Sequence, residues 1–292
     1  MDVFVQLLVN SLQIGAVYVL FSLGLTLIFG VMRIVNFAHG EFFTLAALLI
    51  AVGLPWLVGL GMSPAPAYVL ASLLALAAAL VLGKLLYDVG FRRFQRDMIG
   101  SFVLSIGLSL LLQGLYIEVF TPESRKLPTL VEGTLHLLGA GITTERLVLC
   151  IIALAVGIVM YWTIATTRLG LALRAVAEDH EAAMLQGIPY RRIALAGFLI
   201  GTLLAAVAGA LLAPVAVIDP TIGSNYLMKG FIAVVIGGLG SIPGAIFGSL
   251  LIAVIESVGG YYFDPSLATI AMFVMVMIVL LVRPAGIMAR AA

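Results

Sequence analysis

The chain has 292 residues, 63% of them hydrophobic and only 10% charged, with a formal net charge of +1. A soluble domain is about 45–50% apolar and about 25% charged. This chain therefore has too little polar surface to cover itself in water, and its solvent is lipid. A near-neutral charge with no basic stripe argues against nucleic acid as a partner. The single cysteine, Cys150, cannot close an internal disulfide, and no Cys-x-x-Cys pair offers a metal site.

A bilayer core about 30 Å thick takes about 20 apolar residues of helix. Such runs fall near 5–31, 38–60, 66–87, 98–120, 146–166, 192–214, 227–258 and 267–283. They predict an all-α, polytopic integral membrane protein of about eight transmembrane helices, with 1–292 forming one transmembrane domain. The ten-residue alternation of a barrel is absent. The first run carries Asp2 and no Lys or Arg before Arg33, so it reads as a retained span rather than a cleaved leader. The seventh run is too long for one span, and Gly237, Gly238, Gly240, Pro243 and Gly244 interrupt it. Such residues break helices, so 227–258 is expected to be discontinuous or re-entrant.

Lys and Arg concentrate in cytoplasmic loops. Lys84, Arg92, Arg93 and Arg96 mark 84–97, and Arg168, Arg174, Arg191 and Arg192 mark 167–192. Both face the cytoplasm, so 121–145 and the N-terminus face outside. Eight spans would leave the C-terminus outside, against the preference of Arg283 and Arg290. An extra crossing within 227–258 would remove that conflict.

Several polar residues lie on the spans. Gln6, Asn10, Ser11 and Gln13 on the first, and Ser109 and Gln113 on the fourth, either face a translocation path or, the favoured reading, hydrogen-bond between helices. Tyr261, Tyr262 and Trp162 suit interface belts. Glu256 is expected at the interface, and Asp219, Pro220 and Lys229 in an outer loop able to meet a soluble protein.

The inner loop 167–191 is the most informative stretch. Asp179 suits an N-cap, with Glu181 in the first turn favoured by the helix dipole. Gly187 suits the position just past the helix end, and Pro189 prevents continuation. A short cytoplasmic helix is therefore expected, with Leu173, Val176, Ala183 and Met184 available as an apolar contact face. Glu181-Ala182-Ala183, three residues and Gly187 resemble the coupling loop of ABC-transporter permeases. The resemblance implies that Arg174, Glu181, Ala182, Ala183 and Gly187 form the region that docks on an ATP-binding subunit.

A second stretch, Gly24 to Glu41 with Asn36-Phe37-Ala38-His39-Gly40-Glu41, is similar to the early region of LivH-type branched-chain amino acid permeases. Gly170 to Ala175 and Val235 to Ala245 match the same family in order. The resemblance implies a permease subunit of an ABC importer in a bacterial inner membrane. It also implies two ATP-binding subunits, a sister permease making a heterodimer, and an extracytoplasmic binding protein. Urea and short-amide permeases share much of this motif set. The chain itself has no Walker A sequence, so it is not expected to be an enzyme or to need a cofactor.

Asn36, His39 and Glu41 have two readings: a pathway or gate element, or a polar turn between two spans near Arg33. Gly237, Gly238 and Gly240 likewise either line a pathway on a broken helix or let helices pack closely. His39 and Glu41 lack further ligands at metal spacing. An ion-coupled secondary transporter, the rival class, would need ionisable groups well inside the spans.

Overall fold

The computed structural model describes residues 2–95, 97–137 and 140–288; Arg96 and Arg290 lie outside them. In chain order the helices are α1 (Asp2–Met32), α2 (His39–Gly59), α3 (Pro64–Val89), α4 (Met98–Phe120), α5 (Thr144–Thr166) and α6 (Arg168–Glu178). They continue with α7 (His180–Leu185), α8 (Tyr190–Leu212), α9 (Ile222–Gly237), α10 (Ile242–Tyr262) and α11 (Pro265–Val282). Eight of them, all but α6, α7 and α9, are long and apolar enough to cross a membrane. The polytopic all-α expectation holds.

Helix α1 is the axis of the bundle. It packs most extensively against α8 and α10, and Leu20, Phe21 and Ile28 on it are fully buried. Helices α3, α4, α5 and α11 form the shell and turn Leu73, Leu110, Ile158 and Leu281 outward. In water such a surface would drive association; in lipid it is the solvated face.

The long seventh run resolves into α9 and α10, antiparallel and in close contact. A Cβ on Gly237 would overlap the Gly244 backbone, and one on Gly248 would overlap the Ala233 carbonyl. Small residues thus let the two backbones touch, which supplies dispersion contact where no hydrophobic force acts between helices. The chain end returns to the same turn: Ile287 N donates to Ile236 O at 2.8 Å, and Met288 N to Gly237 O at 3.0 Å.

Four short strands were not foreseen. β1 (Arg125–Lys126) pairs antiparallel with β4 (Val217–Ile218), and β2 (Thr134–Leu137) with β3 (Ala140–Thr143). The first pair joins loops 121–145 and 213–221 on the outer side. On the opposite side, Arg33 Nη2 donates to Ala177 O at 3.1 Å, Tyr87 Oη to Arg191 O at 3.4 Å, and Gly240 lies beside Gly30. Helix α9 runs between these sides. Arg283 therefore ends on the same side of the bundle as Arg33, which is the side its charge prefers if that side is cytoplasmic.

One sequence expectation needs correction. Lys229 is not in an outer loop but on α9, where Nζ lies 2.5 Å from Glu256 Oε1. Tyr18 Oη also donates to Glu256 Oε2 at 2.5 Å. Either charge alone is costly at membrane depth, and each makes the other tolerable. The pairing spans two antiparallel helices, so sequence spacing does not reveal it.

The α9–α10 seam makes a direct prediction. Gly248→Ala should destabilise the detergent-solubilised protein by about 1–3 kcal/mol, an overpacking cost. Gly107→Ala, whose Cβ meets nothing within 4 Å, should leave thermal unfolding unchanged.

Candidate functional site

The inner helices follow from their caps. Thr167 Oγ1 accepts from Gly170 N at 3.1 Å and starts α6. Asp179 then ends α6 and starts α7, its Oδ1 accepting from Glu181 N at 2.9 Å and Ala182 N at 3.1 Å. Gly187 adopts a φ of 82°. Its N–H donates to Met184 O at 2.9 Å, and Ile188 N to Ala183 O at 3.0 Å. This is the left-handed helix end that glycine favours.

The contact face differs from the expected one. Leu173, Val176 and Ala183 are buried in this chain's own core. Met184 is exposed, together with Glu181 and Ala182, and Leu185 is 87% exposed. The sequence pattern found the apolar positions but not which of them the bundle itself consumes. Arg174 is exposed, and its Nη2 donates to Ala165 O at 3.0 Å. It thereby satisfies one of the last carbonyls of α5.

The stretch after α1 is the least expected part of the structure. Arg33 turns the chain with a φ of 55°, a left-handed conformation costing about 1–2 kcal/mol for a residue with a side chain. The following backbone is irregular and climbs back along α1. His39 Nε2 lies 3.2 Å from Phe21 O. Phe21 precedes Met32 by about three helical turns, or about 16 Å, well inside the first candidate span. Asn36, His39 and Glu41 are at most 2% exposed. They are packed inside the bundle rather than on its surface.

Helix α4 supplies the partners. Ser105 Oγ donates to Val35 O at 3.3 Å, Ser109 Oγ to Glu41 Oε1 at 2.8 Å, and Tyr116 Oη to Glu41 O at 3.1 Å. Gln113 Nε2 donates to Glu41 Oε1 and to Ser224 Oγ, both at 2.9 Å. Ser105, Ser109, Gln113 and Tyr116 recur every three or four residues, so one stripe of α4 meets the re-entrant chain. Sequence reasoning assigned Ser109 and Gln113 to interhelical bonding but missed Ser105 and Tyr116. The repeat spacing was the available signal.

Within this segment four buried atoms have no hydrogen-bond partner among the described residues: both amide atoms of Asn36, His39 Nδ1 and Glu41 Oε2. Because His39 Nε2 faces a carbonyl, it is the donor nitrogen, which leaves Nδ1 as an acceptor. Gly237, Gly238 and Gly240 do not join this group. Gly238 and Gly240 adopt φ of 109° and 84° in the α9–α10 turn, where they lie against Gly286 and Gly30. Among the described residues no cluster of His, Cys, Asp or Glu is placed to hold a metal.

A bundle with a capped inner helix and a buried polar re-entrant segment is a membrane transport component. Residues 7–282 match the family described as branched-chain amino acid transport system / permease component, and the chain belongs to it. It is 33% identical over 298 residues to the high-affinity branched-chain amino acid transport system permease protein BraD of Pseudomonas aeruginosa, covering 98% of this chain and 96% of that one. Identity to the LivH permease of Escherichia coli K12 is 34% with the same coverage. The fructose import permease FrcC of Rhizobium meliloti is 33% identical over 102 residues, 32% of this chain and 28% of that one. No solved structure matches.

Asp179→Ala should fray α7 by about 1 kcal/mol, the worth of a lost N-cap. Amide exchange at Glu181 and Ala182 should then quicken severalfold, while Asp179→Asn should preserve their protection.

Proposed function

We propose that this chain is the permease subunit of an inner-membrane ABC importer for branched-chain amino acids. The observation that carries the reading is α7: a capped helix on the inner side, presenting Glu181, Ala182, Met184 and Leu185 to a partner. The full-length likeness to BraD and LivH supplies the substrate class. The partners in this reading are two cytoplasmic ATP-binding subunits, a sister permease completing a heterodimer, and an extracytoplasmic binding protein.

The work arrives from outside the chain. Closure of the ATP-binding subunits moves α7, and the Gly187 end keeps the helix short and rigid. Ala177, at the end of α6 beside α7, is held by Arg33. Arg33 in turn begins the irregular chain leading to Asn36, His39 and Glu41. A push at α7 thus reaches polar atoms near the membrane centre, and alternating access follows when these exchange partners. In this mechanism Asn36, His39 and Glu41 act at the gate. The glycines of the α9–α10 turn serve close packing.

A second reading rests on Glu41, a carboxylate at mid-depth with one oxygen unpartnered, as an ion-coupled carrier would have. Reconstitution separates the two. With ATP-binding subunits and binding protein present, leucine uptake should require ATP, and excess urea should not compete. Gly187→Pro should abolish uptake with assembly retained. Leu185→Asp should weaken ATP-binding-subunit association on the order of tenfold or more, given about 1.5–3 kcal/mol for burying a leucine. Uptake without nucleotide, driven by a proton gradient, would establish the carrier reading instead.

A further inference from the structure

An outer chamber of about 450 Å³ lies between α1, α5, α10, the end of α8 and α9, and none of its lining residues belongs to 33–41 or to α7. Its size is within the range of small-molecule sites. Most of the wall is apolar. The polar groups that line it are few: Asn10, Gln13, Arg146, Ser257, Tyr226 and Tyr261. No acid is among them. Arg146, at the start of α5, is exposed and makes no hydrogen bond or ion pair with any described residue. A guanidinium beside an apolar chamber, with no carboxylate of its own, is arranged for a carboxylate brought from outside.

The floor is aromatic. Tyr226 stacks on Phe43 with ring centres 4.6 Å apart. Phe43 meets Phe21 at 5.9 Å, and Phe21 meets His39 at 4.8 Å. This column separates the chamber from the re-entrant segment, so a solute resting above it is one barrier away from the mid-membrane polar atoms.

We propose that the chamber is the receiving site for a zwitterionic amino acid with a branched apolar side chain, its carboxylate paired with Arg146. The side-chain carbonyls of Asn10 and Gln13 accept from the ammonium, and the apolar wall takes the side chain. The ligand class rests on the importer reading above, whereas the chamber and its carboxylate preference rest on geometry.

Cys150 lines the same chamber and is this chain's single cysteine, so it reports occupancy. The assembled transporter in liposomes is treated with a charged, membrane-impermeant methanethiosulfonate, and labelling of the Cys150 peptide is followed by mass spectrometry. Labelling should occur, and saturating leucine should slow it while urea should not. Arg146→Gln should raise the leucine concentration giving half-protection about ten- to a hundredfold, the worth of a charge-assisted hydrogen bond. Arg146→Lys should recover part of that loss.

Unchanged labelling under leucine, in a preparation that takes leucine up, would overturn the site and leave the importer reading standing. Protection by urea, with none by leucine, would overturn the amino-acid assignment together with that reading. Labelling only by membrane-soluble N-ethylmaleimide would mean that the chamber is filled by lipid, and labelling by neither reagent that it is closed; both contradict the proposal.

Discussion

Irregular backbone cannot lie naked in hydrocarbon. Each unpaired N–H or C=O there costs several kcal/mol, and non-helical chain at membrane depth survives only when protein surrounds it. The stretch from Arg33 to Ala38 obeys this constraint, and much of the bundle is arranged to meet it. Ser105, Ser109, Gln113 and Tyr116 of α4 turn inward, although α4 is otherwise a lipid-facing helix. Glycines at the crossing of α2 and α9 let Gly40 and Gly223 approach until a Cβ on either would overlap the other's backbone. Thr44 Oγ1 then accepts from Gly223 N at 3.0 Å. The break in the chain and its wrapping are one feature.

The same constraint explains the separation of roles along the chain. In the proposed mechanism the parts that exchange partners lie inside, at Asn36, His39 and Glu41. The part proposed to meet a motor is α7, exposed at one end of the bundle, where water satisfies exposed backbone and a six-residue helix can exist with two good caps. Between them stands Arg33, whose left-handed conformation turns the chain back along α1 while its side chain holds the end of α6. Strain at such a junction is the kind of feature that marks a moving part. The Lys229–Glu256 pair with Tyr18 solves a related problem, since it lets the one charged residue of the short, apolar α9 sit among long apolar neighbours.

Much of this was legible in the sequence. Apolar run length located the spans. The breaker residues from Gly237 to Gly244 announced the division of the seventh run. Asp179, Gly187 and Pro189 located α7, because capping chemistry is local. What the sequence concealed was non-local. The depth of His39 depends on where an irregular chain goes after Arg33, and no periodicity encodes that path. The partner of Lys229 lies 27 residues away on another helix. Which apolar residues near α7 face inward depends on α8 and α1, so Leu173, Val176 and Ala183 were offered to a partner when the bundle already used them. The β1–β4 pairing joins residues some ninety positions apart and leaves only two-residue strands to recognise.

The central claim is that motion at α7 reaches the mid-membrane polar segment through Arg33. Structures of the assembled transporter with and without bound nucleotide test it most directly. The account predicts that Arg33 stays bonded to Ala177 in both states while residues 34–38 shift against Ser105 and Ser109 of α4. An α7 that moves with the Arg33–Ala177 contact broken, and with 34–41 fixed on α4, would contradict it.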